Sequence, residues 1–372
     1  MKVVFIHSHK FRKINGRIFS LGGLSEEVLK RYINSDDNIS VIARIIEEKE
    51  SKSNYSEIKD ARIKVKSISD IKVKGLKNEI KEADLVIVRL PSLIGNIAIR
   101  TIKRYKKKYL IEVVGCTWDS YWNHGIIGKV LAPISYFIMK KNVKNAPNVL
   151  YVSKKFLQSR YPTKGRSLDC SDVILKEMPD EILKNRLKKI EKSDKNCDIV
   201  LGTIGAVNVK YKGQEYIIKA IKKLKKNGYK VRYELVGSGN NEYLKAIAKK
   251  HNVLEDVKFI GSLEHSKIFT WLDSIDIYIQ PSNLEGLCRS VIEALSRACP
   301  CILSDAGGNV ELVDSKYIFK KKNVRDFLDK LEKLDKQEKR QQAINNFNRA
   351  KEFSDENLKE KRENFYELVK KM

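Results

Sequence analysis

The clearest chemical signal in the sequence is a pair of glutamates, Glu285 and Glu293, that flank the predicted start of a helix. Free N–H groups and the positive dipole end of such a helix suit a diphosphate, and Gly286 has no Cβ to block it. Eight residues of helix rise by about 12 Å, on the order of the distance from a hexose to a ribose across a diphosphate. Carboxylates accept paired hydrogen bonds from vicinal hydroxyls of both sugars. The alternative interpretation is a helix with ordinary surface acids.

An alternation of strands and helices in the second half of the chain would position this segment. Short apolar runs predict strands at Ile199–Ile204, Val231–Val236, Val257–Ile260, Ile275–Ile279 and Cys301–Ser304. Amphipathic patterns predict helices at Gln214–Lys226, Glu242–His251, His265–Leu272 and Leu287–Ala298. Strand followed by helix, repeated, favours a parallel sheet that is covered on both faces.

The first half has a similar pattern. Predicted strands lie at Val3–Ser8, Ile39–Ile45, Asp84–Leu90, Tyr109–Val114 and Asn148–Val152. A polar loop follows the first of them and ends in the pair Gly22-Gly23, and Ser25 is a candidate helix start. The fold class is therefore α/β, with two Rossmann-like domains whose parallel sheets face each other across a cleft. Ligands of open parallel sheets bind at the carboxyl ends of the strands.

Domain boundaries follow from the same pattern. We expect an N-terminal acceptor-side domain at residues 1–175, a charged linker at 176–197 and a nucleotide-sugar-binding domain at 198–350. Residues 351–372 would form a helix that packs back across the domains. A length of 372 residues and a hydrophobic share of 42% allow two packed cores.

Composition points to an anionic partner and a reducing compartment. The net charge is +27, and residues 1–170 hold 34 Lys and Arg against 16 Asp and Glu. Biased codon supply is the competing explanation for this excess. The six cysteines form no Cys-x-x-Cys pair, and no secretory or membrane-spanning segment is recognisable, so we expect a cytoplasmic protein.

Four motifs in order resemble the retaining glycosyltransferases of family 4, in their polysaccharide-assembly branch. Glu285 and Glu293 stand as the Glu-x7-Glu motif, and residues 300–311 match the segment that follows it. Upstream, residues 205–213 resemble the family's Gly-Arg…Lys-Gly loop, and residues 235–239 resemble its Val-Gly-x-Gly turn. The resemblance covers about residues 200–313 and implies the GT-B fold.

The resemblance also implies residue roles. Glu285 would hold hydroxyls of the donor sugar, Glu293 the ribose, and Lys212 the diphosphate. Charge on the departing diphosphate grows in the transition state, so Lys212 should matter for rate. The transfer would retain configuration through a same-face mechanism without a metal ion or another cofactor, since the chain has no Asp-x-Asp triplet. Further donor contacts are expected from Gly205, Gly237, Gly239, Leu263, Gly286, Leu287, Cys288 and Arg289.

Two places depart from the family pattern. Ala206 stands where an arginine is usual, and either Lys210 or Arg289 could replace that cation. In the first half, many relatives have a histidine where this chain reads Gly-Cys-Thr-Trp-Asp. We therefore expect Asp119 or His124 to orient an acceptor hydroxyl, although His124 could equally cap a helix. Gly22 and Gly23 resemble the family's glycine loop facing the diphosphate, or form a plain turn.

The expected partners are a nucleotide-diphosphate sugar and a glycan or polyprenyl-diphosphate-linked acceptor. Residues 125–144 combine apolar side chains with lysines, the pattern of a helix on an anionic membrane surface, so the protein could be peripheral at the inner membrane face. Such a helix more often belongs to the core, and the core interpretation is the favoured one for this segment.

Three other functions fit parts of the sequence. A nucleotide-sugar epimerase or hydrolase has the same architecture, but this chain has only five histidines and lacks that pattern. An inactive partner subunit is suggested by Ala206. A nucleic-acid-binding protein would rest on charge alone, and no recognition motif supports it.

Overall fold

The computed structural model describes residues 1–50, 55–122, 125–175, 177–193 and 198–371. The chain divides into two compact units. Unit 1 comprises Met1–Cys170 together with Lys359–Met372, and unit 2 comprises Ser171–Leu358. Each unit contains its own α/β sheet.

Unit 1 is built on a nine-stranded sheet. Its strands are β1 (Lys2–Ile14), β2 (Arg17–Leu21), β3 (Asn38–Glu47), β4 (Tyr55–Glu57), β5 (Ile63–Ser67), β6 (Leu85–Leu90), β7 (Tyr109–Val113), β8 (Asn148–Tyr151) and β9 (Arg166–Asp169). Its helices are α1 (Glu26–Lys30), α2 (Ile68–Glu82), α3 (Leu93–Arg104), α4 (Thr117–Trp122), α5 (Gly125–Lys144), α6 (Phe156–Arg160) and α14 (Asp355–Lys371), the last of which begins in unit 2.

The sheet of unit 1 is parallel except for a hairpin extension. Strands β5, β3, β1, β6, β7, β8 and β9 are parallel neighbours in that order. Strands β6 and β7 are buried along their whole length, as expected for strands covered on both faces. Strands β2 and β4 add antiparallel pairs beside the second half of β1.

The sequence prediction for the first strand was too short. β1 continues to Ile14, where Asn15 (φ 48) and Gly16 (φ 80) turn the chain into β2. Two central residues with positive φ are typical of a type I′ hairpin turn, for which Asn-Gly is a preferred sequence. The predicted polar loop is therefore largely strand, and its polar residues lie in a hairpin that also buries Phe11, Ile14 and Ser20.

Unit 2 has a six-stranded parallel sheet. Its strands are β10 (Ile199–Ile204), β11 (Val231–Val236), β12 (Val257–Gly261), β13 (Ile277–Gln280), β14 (Cys301–Ser304) and β15 (Ile318–Phe319). Its helices are α7 (Glu181–Lys192), α8 (Gln214–Lys226), α9 (Glu242–Lys250), α10 (His265–Ser274), α11 (Arg289–Ser296), α12 (Val324–Glu332) and α13 (Lys336–Lys351). The predicted bounds of β10, β11, β14 and α8 are confirmed to the residue.

The strand order of unit 2 identifies its ligand-binding edge. The order is β12-β11-β10-β13-β14-β15, so the chain moves outward on one side of β10 and then crosses to β13 on the other side. The loops that follow β10 and β13 therefore leave the sheet at a topological switch point, where open parallel sheets bind ligands.

The segments predicted as linker and as C-terminal helix each contain a helix. Within residues 176–197, α7 packs with Ile182 and Ile190 against Ala343 and Phe347 of unit 2. Arg186, also on α7, donates to the carbonyl oxygens of Leu272 and Ile275, both at 2.7 Å.

Helix α14 joins unit 1 through a buried carboxylate. Tyr366 donates a hydrogen bond to Glu112 Oε1 at 2.8 Å, and Tyr32 donates to Glu112 Oε2 at 3.0 Å. Lys370 also pairs with Asp37 at 3.1 Å.

Candidate active site

The loops after β10 and β13 meet at the switch point through their backbones. The N–H of Asn283 donates to the carbonyl oxygen of Tyr211 at 2.7 Å. Gly213 (φ 71) passes so close to Pro281 that a Cβ there would overlap the Pro281 carbonyl oxygen. Only glycine combines this conformation with this contact. The two loops are thereby fixed against each other.

These loops bring Lys212 and Glu285 together. The ammonium Nζ of Lys212 donates to Glu285 Oε1 at 2.8 Å, and the side chains are 20% and 10% exposed. Burial acts to lower the pKa of Lys212, but the adjacent Glu285 carboxylate outweighs it and leaves that pKa above its usual value. The two side chains form a charged pair in a largely desolvated position.

Two side chains that were not predicted also reach Glu285. Ser282 donates to Glu285 Oε1 at 2.7 Å, and the Nε2 of Gln280 contacts the same oxygen at 3.3 Å. Both residues are fully buried. Their one sequence signal is their position: polar side chains at the carboxyl end of an otherwise apolar strand.

The loop after β14 supports the same segment. The N–H of Gly308 donates to the carbonyl oxygen of Gly286 at 3.0 Å, and a Cβ on Gly308 would overlap that oxygen. Leu287 is half-buried beside Gly308, and Cys288 is buried. The motif segments at 285–288 and 307–311, which are separate in the sequence, are in direct contact.

The helix after Glu285 starts later than predicted. Helix α11 begins at Arg289, and Cys288 is its N-cap with an extended backbone and no side-chain capping bond. The four residues from Glu285 to Cys288 are therefore loop, and the 12 Å of continuous helix rise between Glu285 and Glu293 was wrong. Glu293 lies in the second turn of α11 and is largely buried.

Glu293 has a partner that the sequence did not suggest. The Nε2 atom of His265, the first residue of α10, lies 3.2 Å from Glu293 Oε1. His265 follows β12 by four residues, close to the predicted donor contact Leu263, which is half-buried. Both lie beyond the carboxyl end of β12, on the ligand edge of the sheet.

The predicted glycines of this edge lie at close backbone crossings. Gly205 follows β10, and its N–H donates to the Val236 carbonyl oxygen at 2.8 Å. A Cβ on Gly237 would overlap the Gly205 carbonyl oxygen, and a Cβ on Gly239 would overlap the side chain of Asn208. These glycines allow the turns after β10 and β11 to pack together.

The candidate replacements for the missing arginine lie at the surface. Lys210 is exposed, with its Nζ 4.9 Å from the centre of the Tyr243 ring. Arg289 is exposed at the start of α11. Ala206 accepts a hydrogen bond at its carbonyl oxygen from Gln214 at 3.2 Å.

Cys288 is held in its protonated form. Burial, with a further contribution from the Glu285 charge, raises the pKa of its thiol to about 12. A thiol with this pKa is not a thiolate nucleophile near neutral pH.

The predicted residues of unit 1 occupy its loops and α4. Gly22 (φ 83) and Gly23 lie in the loop between β2 and α1, with open space beside Gly22. Asp119 lies on α4, and its Oδ2 is 3.4 Å from the Nη1 of Arg160. His124 lies outside the described residues.

Helix α5 presents a broad apolar surface instead of a core face. Ile126 is 82% exposed and Phe137 is 65% exposed. The core interpretation is wrong for this face, because α5 buries only a narrow stripe. The other exposed apolar side chains on it are Ile127, Val130, Leu131, Ile134 and Ile138, and the buried residues are Gly128, Ala132, Met139 and Val143.

Helix α5 also extends past the sheet. Thr117, just beyond the carboxyl end of β7, contacts the sulfur of Met139 at 2.6 Å, while Tyr109 at the amino end of β7 donates to the Asn145 carbonyl oxygen at 3.2 Å. Residues 139–145 therefore span the length of β7. The preceding part of α5, about 20 Å of helix, lies beyond the carboxyl end. We call this part, together with α4, the α4–α5 projection (residues 117–122 and 125–138).

Clusters of metal-binding side chains and membrane-spanning helices are absent from the described part of the chain. In these residues no three His, Cys, Asp or Glu side chains come together as a metal site would require. None of the described helices is long and apolar enough to cross a membrane.

Comparison with known proteins places this geometry in a family. The family model "Glycosyl transferases group 1" matches residues 185–351. The chain is 34% identical over 345 residues to protein CapJ of Staphylococcus aureus, covering 87% of this chain and 84% of that protein.

Solved structures share the fold at low sequence identity. Sucrose-phosphate synthase from Thermosynechococcus elongatus superposes with a TM-score of 0.70 at 12% identity, covering 99% of both chains. Anabaena Alr3699/HepE, solved in complex with UDP-glucose, superposes with a TM-score of 0.67 at 15% identity, covering 100% of both chains. The fold is thus the GT-B fold of these enzymes. Together with the family match and the identity to CapJ, this shows that the chain belongs to the group 1 glycosyltransferases and is an enzyme of that family.

Proposed function

We propose that this enzyme transfers a sugar, with retention of configuration, from a nucleotide-diphosphate sugar to a glycan or lipid-linked glycan in surface polysaccharide synthesis. The observation that carries the proposal is the Lys212–Glu285 pair at the switch point of unit 2. HepE binds UDP-glucose in its solved complex, and WaaG, another protein with this fold, is a glycosyltransferase involved in lipopolysaccharide biosynthesis. These relatives support the donor class and the polysaccharide product.

In the proposed reaction the donor separates the pair. Lys212 turns to the diphosphate and neutralises the charge that grows as the glycosidic bond breaks. The uncapped N-terminus of α11 gives the diphosphate further stabilisation. Glu285 holds hydroxyls of the sugar and Glu293 those of the ribose.

The acceptor hydroxyl then attacks the anomeric carbon of the sugar from the same face that the leaving diphosphate departs from. The departing phosphate oxygen takes the proton of the acceptor hydroxyl, so no side-chain nucleophile is needed. Cys288, which lies beside Glu285, is excluded as a nucleophile by its raised pKa. The chain's own contribution is to position the two substrates and stabilise charge.

We further propose that the acceptor is presented at an anionic membrane surface and that the protein binds this surface through the α4–α5 projection. Its exposed apolar face lies beyond the carboxyl end of β7, the same edge from which the predicted acceptor residue Asp119 extends. Trp122 is 44% exposed, and an indole of this kind suits the boundary between lipid and water.

Charge selects the lipid surface over an uncharged apolar partner. Four lysines border the apolar face, and unit 1 carries most of the positive charge of the chain. Basic residues beside an apolar helical face attract anionic lipid, each contributing about 1 kcal/mol near the surface. The lysines of α5 are Lys129, Lys140, Lys141 and Lys144.

Donor transfer is tested with a panel of nucleotide-sugars. The true donor should raise the melting temperature, because a ligand of the native state stabilises it by mass action. Glu285→Gln should keep the fold and lose at least about 100-fold in transfer rate. If no nucleotide-sugar stabilises the protein, the interpretation as an inactive partner subunit replaces this one. Product formed from the donor alone, without acceptor, would instead identify an epimerase or hydrolase.

Membrane docking is tested by liposome flotation at low salt. The wild-type protein should float with vesicles of phosphatidylcholine and phosphatidylglycerol and remain in solution with phosphatidylcholine alone. Ile127→Glu combined with Phe137→Glu should abolish flotation. Leu368→Glu, at an exposed apolar residue of α14, is the matched control and should float normally. Equal flotation of the projection variant and the wild type would contradict the proposal.

A further inference from the structure

The hydrogen-bond donors around Glu285 converge on one of its two carboxylate oxygens. Oε1 receives Lys212, Ser282 and Gln280 at 2.8, 2.7 and 3.3 Å. Over the described part of the chain, Oε2 has no hydrogen-bond partner. One oxygen is thus saturated by the protein, and the other is left for a ligand.

The hydrogen bonds behind Glu285 run toward its carboxylate. The phenol of Tyr278 lies 2.6 Å from Gln280 Oε1, and burial raises its pKa well above the usual value, so it keeps its proton and donates. Gln280 must then turn its NH₂ group toward Ser282, whose Oγ it reaches at 2.8 Å. The Ser282 hydroxyl accepts that hydrogen bond and donates its own to Glu285 Oε1. The chain of donors ends on the carboxylate.

The hydrogen-bonded series Tyr278, Gln280 and Ser282 is held at both ends by further hydrogen bonds. Ser304 donates to the carbonyl oxygen of Ser282 at 2.5 Å, and Tyr278 also contacts Ser290 at 2.9 Å. Tyr278, Gln280, Ser282 and Ser304 are all fully buried, so water does not compete for these bonds.

We propose that Gln280 and Ser282 are positioning residues that fix the Glu285 carboxylate with Oε2 directed at the donor sugar. When the donor draws Lys212 away to the diphosphate, Ser282 and Gln280 are the groups that remain on Oε1. They keep the carboxylate from following the lysine. This inference rests on the proposed role of Glu285 as the residue that holds the sugar.

The proposal predicts a loss that depends on the sugar and not on the nucleotide. Ser282→Ala, and separately Gln280→Met, should weaken binding of the stabilising nucleotide-sugar about tenfold, while binding of its nucleoside diphosphate changes less than twofold. Retained binding of the nucleoside diphosphate also reports that the variant is folded. Ser296→Ala removes another buried serine hydroxyl, one that donates to a backbone carbonyl, and is the matched control.

The experiment is isothermal titration of each variant with the donor and with its nucleoside diphosphate, using the nucleotide-sugar that the thermal panel selects. In a Glu285→Gln background, Ser282→Ala should have no further effect on the ratio of the two affinities. An additive loss there, or an equal loss for the nucleoside diphosphate, overturns the positioning role. If Glu285→Gln itself leaves the affinity ratio unchanged, the proposed sugar-binding role of Glu285 fails.

Discussion

At the scale of residues, Lys212 and Glu285 form a charged pair that the proposed reaction separates. A cation held at 2.8 Å from a carboxylate is stabilised in its charged form, so it is available to a diphosphate without a proton being taken up. In the proposed reaction, the diphosphate of the nucleotide-sugar takes the place of the Glu285 carboxylate beside Lys212. The cost of separating the pair is thereby offset within the same site.

Replacing Lys212 should therefore affect both rate and stability. We expect Lys212→Met to lower kcat by about 100- to 1,000-fold, because charge on the leaving diphosphate is no longer neutralised. It should also destabilise the protein by about 1–3 kcal/mol, since Glu285 keeps a largely buried charge without its partner. Steady-state kinetics and urea unfolding measure the two effects. Lys212→Met combined with Glu285→Gln should recover stability but not activity, and recovery of activity would contradict the assigned role.

Gly213 and Gly228 offer a matched pair of substitutions. Both have positive φ, but a Cβ on Gly213 would overlap the Pro281 carbonyl oxygen, whereas Gly228 has open space around it. Gly228→Ala should cost about 1 kcal/mol of stability and leave donor binding unchanged. Gly213→Ala should cost more and weaken donor binding at least tenfold, since the loops after β10 and β13 must separate. Equal effects of the two variants on donor affinity would contradict this.

The sequence identified the residues that are proposed to contact ligand better than those that support them. Lys212 and Glu285 stand out because their charge and motif spacing are visible in the linear sequence. Gln280, Ser282 and His265 do not, because their roles depend on which strand ends and loops become neighbours. Such neighbours are set by tertiary packing and not by spacing along the chain.

At the scale of elements, the long β1 places two histidines in a cation-rich environment. Burial lowers the pKa of His7 to about 3, with further contributions from Arg89, His9 and Arg44. Burial, with Arg89 and Arg12, lowers the pKa of His9 to about 4. Both rings are therefore neutral in the folded protein well below the pH at which they would protonate when unfolded.

Acid should consequently destabilise unit 1. Each histidine binds a proton more readily in the unfolded chain, so its stabilising contribution is complete above about pH 6.5 and is lost as the pH falls toward the folded pKa. We expect a loss of about 1–2 kcal/mol per histidine between pH 7 and pH 5. His7→Gln combined with His9→Gln should flatten the pH dependence of the unfolding free energy. Parallel curves for variant and wild type would contradict the prediction.

Element boundaries show which sequence signals were used and which were missed. The bounds of β10 and β11 were predicted to the residue. β10 is largely an apolar run, whereas β11 places Arg232 and Glu234 between apolar residues, a pattern that also suits a strand. The β1–β2 hairpin was missed although Asn15-Gly16 is a typical turn sequence, since charged and polar residues interrupt the apolar residues of its strands. The start of α11 was set too early because Glu285 and Gly286 fit a helix entrance. Contacts with Lys212 and Gly308 hold that segment as a loop.

At the scale of the whole molecule, the two units should unfold separately. The proposed donor-binding residues Lys212 and Glu285 lie in unit 2, whereas the hydrogen bond from Tyr366 to Glu112 holds α14 in unit 1. We expect two transitions in calorimetry, of which donor raises the one that belongs to unit 2. Tyr366→Phe should lower only the other, because it removes a hydrogen bond to a buried carboxylate, worth about 1.5–3 kcal/mol. A single transition that responds to both changes would contradict this.

The return of α14 to unit 1 has a consequence for how the protein is made. Unit 1 is interrupted after Cys170 and resumes at Lys359, so the ribosome must translate all of unit 2 before the remaining helix of unit 1 emerges. At elongation rates of about 5–20 residues per second, this delay lasts on the order of 10–40 s. Until then nascent Glu112 lacks the phenol of Tyr366, and unit 2 obtains its complete sequence before unit 1 does. The order of synthesis and the order of completion are thus reversed.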